Sequence, residues 1–190
     1  DFIFLDQLTA HPQKMTNYYH HDLKSNNNFL FKPVPIKENC NYHGYYQSEK
    51  YFSSFNLKEE FVLNQNLVSK IKQKHAKLFE KPCISLQYRL GGDRKLLKIQ
   101  NYHKNLTPKY YKNSIKEICE INNLIEGQFN VLLFSDDINL AKKALQIYEI
   151  SFIPITNDNN IEDFIHMSLC DHNIIGNSTF AWWSSYFNKK

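Results

Sequence analysis

From Cys83 onward the chain alternates short apolar runs with longer stretches whose apolar residues recur every third or fourth position. The runs Cys83-Ile84-Ser85-Leu86-Gln87-Tyr88, Asn130 to Phe134, Ser151 to Ile155 and Asn173-Ile174-Ile175 predict four strands. Between them the spacing predicts helices. One opens with Thr107 as N-cap and Pro108 at its first position and turns Tyr111, Ile115 and Ile118 inward. The next carries Ile138, Ala141, Leu145 and Tyr148 on its inner face, a third runs around Glu162 to Ser168, and a fourth starts near Thr179. Upstream, Asn56 with Glu59 three positions on resembles a capping box, and Leu57, Phe61, Val68, Ile71, His75 and Leu78 share one helical face, predicting a helix to about Phe79.

Strands in alternation with helices imply right-handed crossovers and an α/β fold: a Rossmann-like parallel sheet covered on both faces. The chain is accordingly divided into a loop-rich part, residues 1–55, and a Rossmann-like domain, residues 56–190. The first part holds His20-His21, Asn26-Asn27-Asn28 and Pro33-Val34-Pro35. Asp1-Phe2-Ile3-Phe4-Leu5-Asp6 has no initiator Met, basic leader or cleavage site, so it reads as the cut edge of something longer, and the C-terminal edge reads similarly.

Composition adds limits. The chain's 190 residues, 42% apolar and 15% aromatic, can close a core, which excludes wholesale disorder. The longest apolar runs, such as Val131-Leu132-Leu133-Phe134, are strand-sized and far below the roughly 20 residues a membrane span needs. A net charge of +4 comes from dispersed lysines and is weak ground for a nucleic-acid partner. Cys40, Cys83, Cys119 and Cys170 show no C-x-x-C pair and read as reduced, mostly core residues, which points to the cytoplasm.

Arg89, Asp136, Asn157 and Asn177 each lie at or just beyond the carboxyl end of a predicted strand, where open parallel sheets bind ligands. Simple exposure of strand ends is the competing explanation. Arginine occurs only at Arg89 and Arg94, within Gln87-Tyr88-Arg89-Leu90-Gly91-Gly92-Asp93-Arg94. In a lysine-rich chain this suggests a planar, bidentate donor for a phosphate or carboxylate, with Gly91-Gly92 letting the backbone approach; a surface turn with an incidental arginine is the alternative. Asn177-Ser178-Thr179-Phe180 begins a helix whose free N–H groups suit phosphate oxygens, unless it is a plain N-cap followed by core aromatics. Of the adjacent Trp182 and Trp183, one is expected in the core and one beside a cleft. Of Asp136-Asp137, one is expected to cap the following helix and the other to face the cleft. No P-loop, dinucleotide, esterase or zincin motif occurs, and no D-x-D, so no metal-binding residue is expected.

Several blocks in order resemble glycosyltransferase family 11, the alpha-1,2-fucosyltransferases. His43-Gly44-Tyr45-Tyr46-Gln47-Ser48-Glu49-Lys50-Tyr51-Phe52 resembles the family's G-Y-x-Q-S-E-K-Y-F, and Phe134-Ser135-Asp136-Asp137 its F-S-D-D. The longest match is Met167-Ser168-x-Cys170-x-His172-x-Ile174-Ile175-x-Asn177-Ser178-Thr179-Phe180-x-Trp182-Trp183, against M-S-x-C-x-x-x-I-x-x-N-S-x-F-S-W-W. At the family's H-x-R-R-x-D, this chain has Gln87 to Asp93. It keeps the first arginine, lacks the histidine and second arginine, and carries one extra residue.

The resemblance implies a GT-B-type glycosyltransferase, with most of the nucleotide-binding half here and the N-terminal part truncated. It implies inverting transfer of fucose from GDP-fucose to a hydroxyl of a glycan acceptor, in alpha-1,2 linkage, with no metal and no cofactor beyond the donor. Arg89 with Ser178 and Thr179 would neutralise the departing GDP, Asp163 would pair with guanine, and Gln87, Asp136, Asn177 and Phe180 would complete the donor site. Asp93 stands as the candidate base. Three alternatives stay open: a member that binds a GDP-sugar without turnover, a transferase of another GDP-sugar, and a nucleic-acid module hinted at only by Lys109-Tyr110-Tyr111-Lys112. Asn177-Ser178-Thr179 is also a glycosylation sequon, and a glycan there would block the site, which again favours the cytoplasm; a Golgi-lumenal or membrane-associated location would require an anchor elsewhere in a longer chain.

Overall fold

The computed structural model describes residues 17–20, 31–44, 46, 48–96 and 104–189, with the backbone alone for His20, Asp93 and Arg94. The chain forms two compact units, Asp1–Phe61 and Val62–Lys190. In the first, β1 (Asn17–His20) and β2 (Cys40–His43) pair in parallel with Asn17 opposite Cys40. The Tyr42 hydroxyl accepts from Lys37 N at 2.7 Å and donates to the Pro35 carbonyl at 2.8 Å, folding the intervening Pro-rich turn back on the strand. Ser48 caps a short 3-10 turn, Glu49–Tyr51, and α1 spans Leu57–Glu60.

The single helix expected from Asn56 to Phe79 is broken. Asn56 makes no side-chain cap bond, α1 ends after one turn, and Phe61 and Val62 are exposed rather than on a core face. Helix restarts only at α2 (Gln65–Lys74), because Asn64 Oδ1 accepts from Asn66 N at 3.0 Å and Leu67 N at 3.3 Å, a stronger local cap. His75 ends it, and a 3-10 turn, Ala76–Glu80, leads into the sheet.

The second unit holds β3 (Cys83–Gln87), α3 (Pro108–Asn122), β4 (Asn130–Phe134), α4 (Ile138–Gln146), β5 (Ile153–Pro154), α5 (Asn160–Leu169), β6 (His172–Ile174) and α6 (Thr179–Tyr186). Its strands form one parallel sheet in the order β5-β4-β3-β6. This is the α/β, Rossmann-like architecture expected. β3 is buried along its whole length because helices cover both faces. On one face Ile84, Leu86, Val131 and Leu133 pack with Tyr111, Ala141 and Leu145 of α3 and α4; on the other, Cys83, Leu132 and Phe134 meet Ile155, Met167 and Cys170, with Phe79 and Phe180 against them. The period-two alternation of each strand thus serves two cores at once.

Local departures have local causes. Thr107 stands at the N-cap of α3 but makes no side-chain cap bond. α4 ends at Gln146 and Glu149 turns left-handed at φ 55°, so Tyr148 lies off the helix and is 39% exposed instead of facing inward. The strand expected over Ser151–Ile155 pairs only at Ile153–Pro154; as an edge strand it tolerates a proline, whose missing N–H faces away from the ladder. All four cysteines are free, as expected. Among the described residues no helix is long and apolar enough to cross a membrane.

Candidate functional site

Numbered in chain order, the four strands of the sheet lie 3-2-1-4, so the chain leaves β3 toward β4 on one side while β6 arrives on the other. At such a switch point the loops diverge and leave a crevice beyond the strands' carboxyl ends. Arg89, two residues past β3, and Gly176 and Asn177, just past β6, line a small crevice there. Tyr111 and the segment Lys104-Asn105-Leu106 complete it. The Tyr111 hydroxyl donates to the Gln87 carbonyl at 3.1 Å, and its burial pushes the phenol's pKa well up. Asn177 Nδ2 donates to the Lys104 carbonyl at 3.0 Å and so ties the α3 approach to the β6 exit. Gly176 sits in a tight space: a Cβ there would lie 3.0 Å from Gln87 Oε1 and 3.1 Å from the Gln87 carbonyl oxygen, so its neighbours would have to give by a few tenths of an ångström.

The Arg89 turn is held by Asp136. Its Oδ1 accepts the backbone N–H groups of Leu90 at 2.8 Å and Gly91 at 2.9 Å, while Oδ2 lies 3.8 Å from Arg89 Nη1. Gly91 lets the two turns close, since a Cβ there would meet the Asp136 carbonyl oxygen at 3.0 Å and its Cγ at 3.1 Å. Ser135 donates to the Tyr88 carbonyl at 2.6 Å and adds a second tie between the same strand ends. Asp137 caps α4 by accepting from Leu140 N at 3.1 Å and pairs with Lys95 at 2.9 Å, which, with Lys95 first, holds its carboxyl below the usual range. Asp137 is thus the expected cap, whereas Asp136, expected to face the cleft, turns instead toward the loop that carries Arg89 and is not among the residues lining the crevice.

Asp163 stands in the first turn of α5, beyond β5. Burial raises its pKa, opposed by the hydrogen bond from Asn157 Nδ2 at 2.9 Å. Asn157 Oδ1 in turn lies 2.9 Å from His75 Nε2, and its Nδ2 lies 3.4 Å from His166 Nδ1. With Asn157 donating to His166 Nδ1, the imidazole proton sits on Nε2, which is fully buried and has no hydrogen-bond partner among the described residues. Burial among His75, Phe79 and Phe134 pushes the His166 pKa down to about 3, so the ring is neutral at working pH. Beside Asp163, Glu162 is only 1% exposed; Lys70 reaches it at 2.6 Å and holds its pKa down, and Lys70 and Lys74 also bind Asp158. This ion cluster fixes α2 to the start of α5.

The fold thus brings Arg89, Gly176 and Asn177 to one crevice, seats Gln87 directly beneath it, and sets Asp136 behind Arg89. Asp163 follows the edge strand β5, at the far end of the same sheet margin. Ser178 caps α6 by accepting from Ala181 N at 3.4 Å, and Thr179 is exposed at its first turn. Phe180 is half-buried, its ring 5.5 Å from that of Phe164. Trp182 and Trp183 are both half-buried, correcting the expected split into a core and a cleft residue: α6 presents them side by side, where both pack on Tyr186. Asp93 lies in the 3-10 turn Gly92–Lys95, but its side chain, like that of Arg94, falls outside the described residues. Asn105 and the Tyr111 hydroxyl were not singled out as site groups by sequence. Neither sits at a strand end, and Tyr111 reads as an ordinary inward helix residue.

A family model described as Glycosyl transferase family 11 matches residues 7–190. Among curated proteins, the O-antigen biosynthesis glycosyltransferase WbnK of Escherichia coli is 30% identical over 91 residues, covering 46% of this chain and 28% of that protein. The chain therefore aligns with less than a third of that relative's length. No solved structure matches.

Proposed function

The chain belongs to glycosyl transferase family 11, and from that premise we propose that it transfers fucose from GDP-fucose to a glycan hydroxyl by an inverting, metal-independent route. Residues 62–190 are then the nucleotide-binding half of a GT-B-type enzyme. Departure of GDP leaves negative charge on its outer phosphate while the sugar becomes oxocarbenium-like, and fixed donors aimed at that charge lower the barrier. Arg89 supplies a guanidinium, and the start of α6 supplies N–H groups and the Thr179 hydroxyl, without reorganising as charge develops. The observation that supports the reading is that Arg89, Gly176 and Asn177, the last just ahead of the α6 start, line one crevice at the switch point of a Rossmann-like sheet. Asp163 is assigned the guanine N–H groups, because a carboxylate accepts from both at once.

Asp93 remains the candidate base. The cytoplasm is the compartment proposed, a reading the four free cysteines support, and the E. coli relative's name, an O-antigen biosynthesis glycosyltransferase, makes such a saccharide the first acceptor to assay. The absence of the family's histidine and second arginine between Gln87 and Asp93 supports a second reading, binding of the donor without turnover. A thermal-shift panel of GDP, GDP-fucose, GDP-mannose, UDP-sugars and ATP tests the assignment. A guanine nucleotide at 100 times its Kd should add about 2.7 kcal/mol. Equal shifts with every nucleotide, or none with any, would sink it.

A further inference from the structure

His75, Asn157 and Asp163 come from three places, the end of α2, the loop after β5 and the first turn of α5, and meet in one chain of hydrogen bonds. His75 Nε2 lies 2.9 Å from Asn157 Oδ1, and Asn157 Nδ2 lies 2.9 Å from Asp163 Oδ1 and 3.4 Å from His166 Nδ1. Chemistry fixes the directions. A carboxylate only accepts, so the amide turns its NH₂ to Asp163, and its carbonyl then requires His75 to carry a proton on Nε2. The His75 ring is held for this by stacking on that of His166, 4.4 Å away. In the reverse arrangement Asn157 Oδ1 would face Asp163, which would have to be protonated to donate to it. Asp163 would then keep one carbonyl oxygen as its good acceptor and lose its charge. The orientation of one amide thus decides what the half-buried Asp163 offers a ligand.

We infer that His75 and Asn157 are positioning residues for base recognition: together they present Asp163 as a double acceptor, which selects a base edge with two adjacent N–H donors. Guanine has such an edge in its N1–H and 2-amino groups; adenine, uracil and cytosine do not. Burial first, and then Glu162 beside it, favour the protonated carboxyl, while the bond from Asn157 and, after it, Lys74 of α2 oppose them. Lys74 pairs with Asp158 at 3.1 Å, so the direct hydrogen bond to Asp163 comes from Asn157. Lys70 binds Asp158 and Glu162, and His166 is neutral, which completes the charged surroundings. The inference rests on the donor reading above, which assigns Asp163 to guanine, and adds the residues that keep it in the state guanine needs.

The test titrates GDP and inosine diphosphate, which lacks the 2-amino group, by calorimetry across the range from acid to mildly alkaline pH. The proteins are wild type, Asn157→Leu, His75→Leu and His75→Gln, each shown folded by its melting curve. Wild type should prefer GDP by about tenfold or more, the effect of one hydrogen bond to a charged group. Asn157→Leu should move the acid loss of GDP affinity upward by about one to two pH units, with affinity regained at higher pH because the carboxyl still ionises there. His75→Leu frees the amide to turn and should bring the preference for GDP within about threefold, while His75→Gln, whose amide still donates, should keep it. A purely structural role would weaken both nucleotides together at every pH. That parallel loss, an unmoved pH profile in Asn157→Leu, equal damage from the two His75 variants, or a wild type that binds GDP without preferring it would each overturn the inference. Should Asn157→Leu not fold, the His75 pair decides. If wild type binds neither nucleotide, the donor reading itself fails and takes the inference with it.

Discussion

Replacing Asp136 by alanine removes one oxygen that accepts two backbone N–H groups, those of Leu90 and Gly91, at 2.8 and 2.9 Å. Both residues are buried, so the freed donors lose their partner where water enters poorly. Each orphan costs about 1–3 kcal/mol, and with partial hydration the loss should be on the order of 3 kcal/mol. For a domain of this size that lowers the melting temperature by roughly 6–12 °C. The ion pair with Arg89 contributes little, since both side chains are about a third exposed and 3.8 Å apart; pairs of this kind are worth up to about 1 kcal/mol. Asp136→Asn therefore separates the two effects. Its amide oxygen still accepts both N–H groups while the charge is gone, so its cost should stay near 1 kcal/mol or below. Asp137→Ala, which removes the cap on α4 and the largely exposed pair with Lys95, serves as a reference at about 1–2 kcal/mol. Urea titrations give the stability differences, and GDP titration of the same proteins reports whether Arg89 is still presented. GDP affinity should fall with Asp136→Ala and persist in Asp136→Asn. Equal damage from the two substitutions would refute the claim that the accepting oxygen builds the turn.

Three further outcomes follow from the same geometry. His166 is held neutral by burial, with its pKa pushed from about 6.5 down to about 3. A base depressed in the folded state contributes stability above its unfolded pKa that drains away as pH falls through that window. His166→Asn should then flatten the stability slope between about pH 6.5 and 4 by up to 1.4 kcal/mol per pH unit, and an unchanged slope in acid denaturation counts against it. For Asp163 burial works in the opposite sense. A carboxyl raised on folding contributes stability at low pH that is lost as pH rises through the folded value, so Asp163→Asn should melt higher than wild type at neutral pH while losing preference for GDP over ADP. A lower neutral-pH melting point would show that its charge is needed for the fold. Finally, Arg89→Lys should cut transfer by about 10²–10³ at matched melting temperature, because an ammonium cannot give two parallel bonds to a phosphate, and wild-type turnover should survive EDTA. Near-normal transfer by the lysine variant, or activity restored only by a divalent cation, would defeat the mechanism.

The second unit's strands and most of its helices were legible in the chain alone. A strand buried on both faces must be apolar throughout, so Cys83–Gln87 and Asn130–Phe134 announce themselves locally, and Pro108 or Asp137 mark helix starts by chemistry confined to a few neighbours. The family blocks were equally local, and they sit where short-range geometry is demanding: a helix start at Asn177–Thr179 and the paired aspartates after β4. Other features depend on partners far along the chain. The helical face from Leu57 to Leu78 promised continuity, yet it gave way to the cap at Asn64, because a face earns burial only where something packs against it. Glu162 reads as an ordinary first-turn acid until Lys70, 92 positions away, makes it a buried one. Strand order is of the same kind. Pairing of β3 with both β4 and β6 is a property of the whole sheet, and it alone puts Arg89, Asn105 and Gly176 around one crevice and Asp136 behind Arg89. Which polar residues stand at the strand ends was therefore legible in the sequence; which of them meet, and that Asn105 and Tyr111 join them, was decided by tertiary packing, since hydrogen bonds and burial act across space and leave no periodicity in the chain.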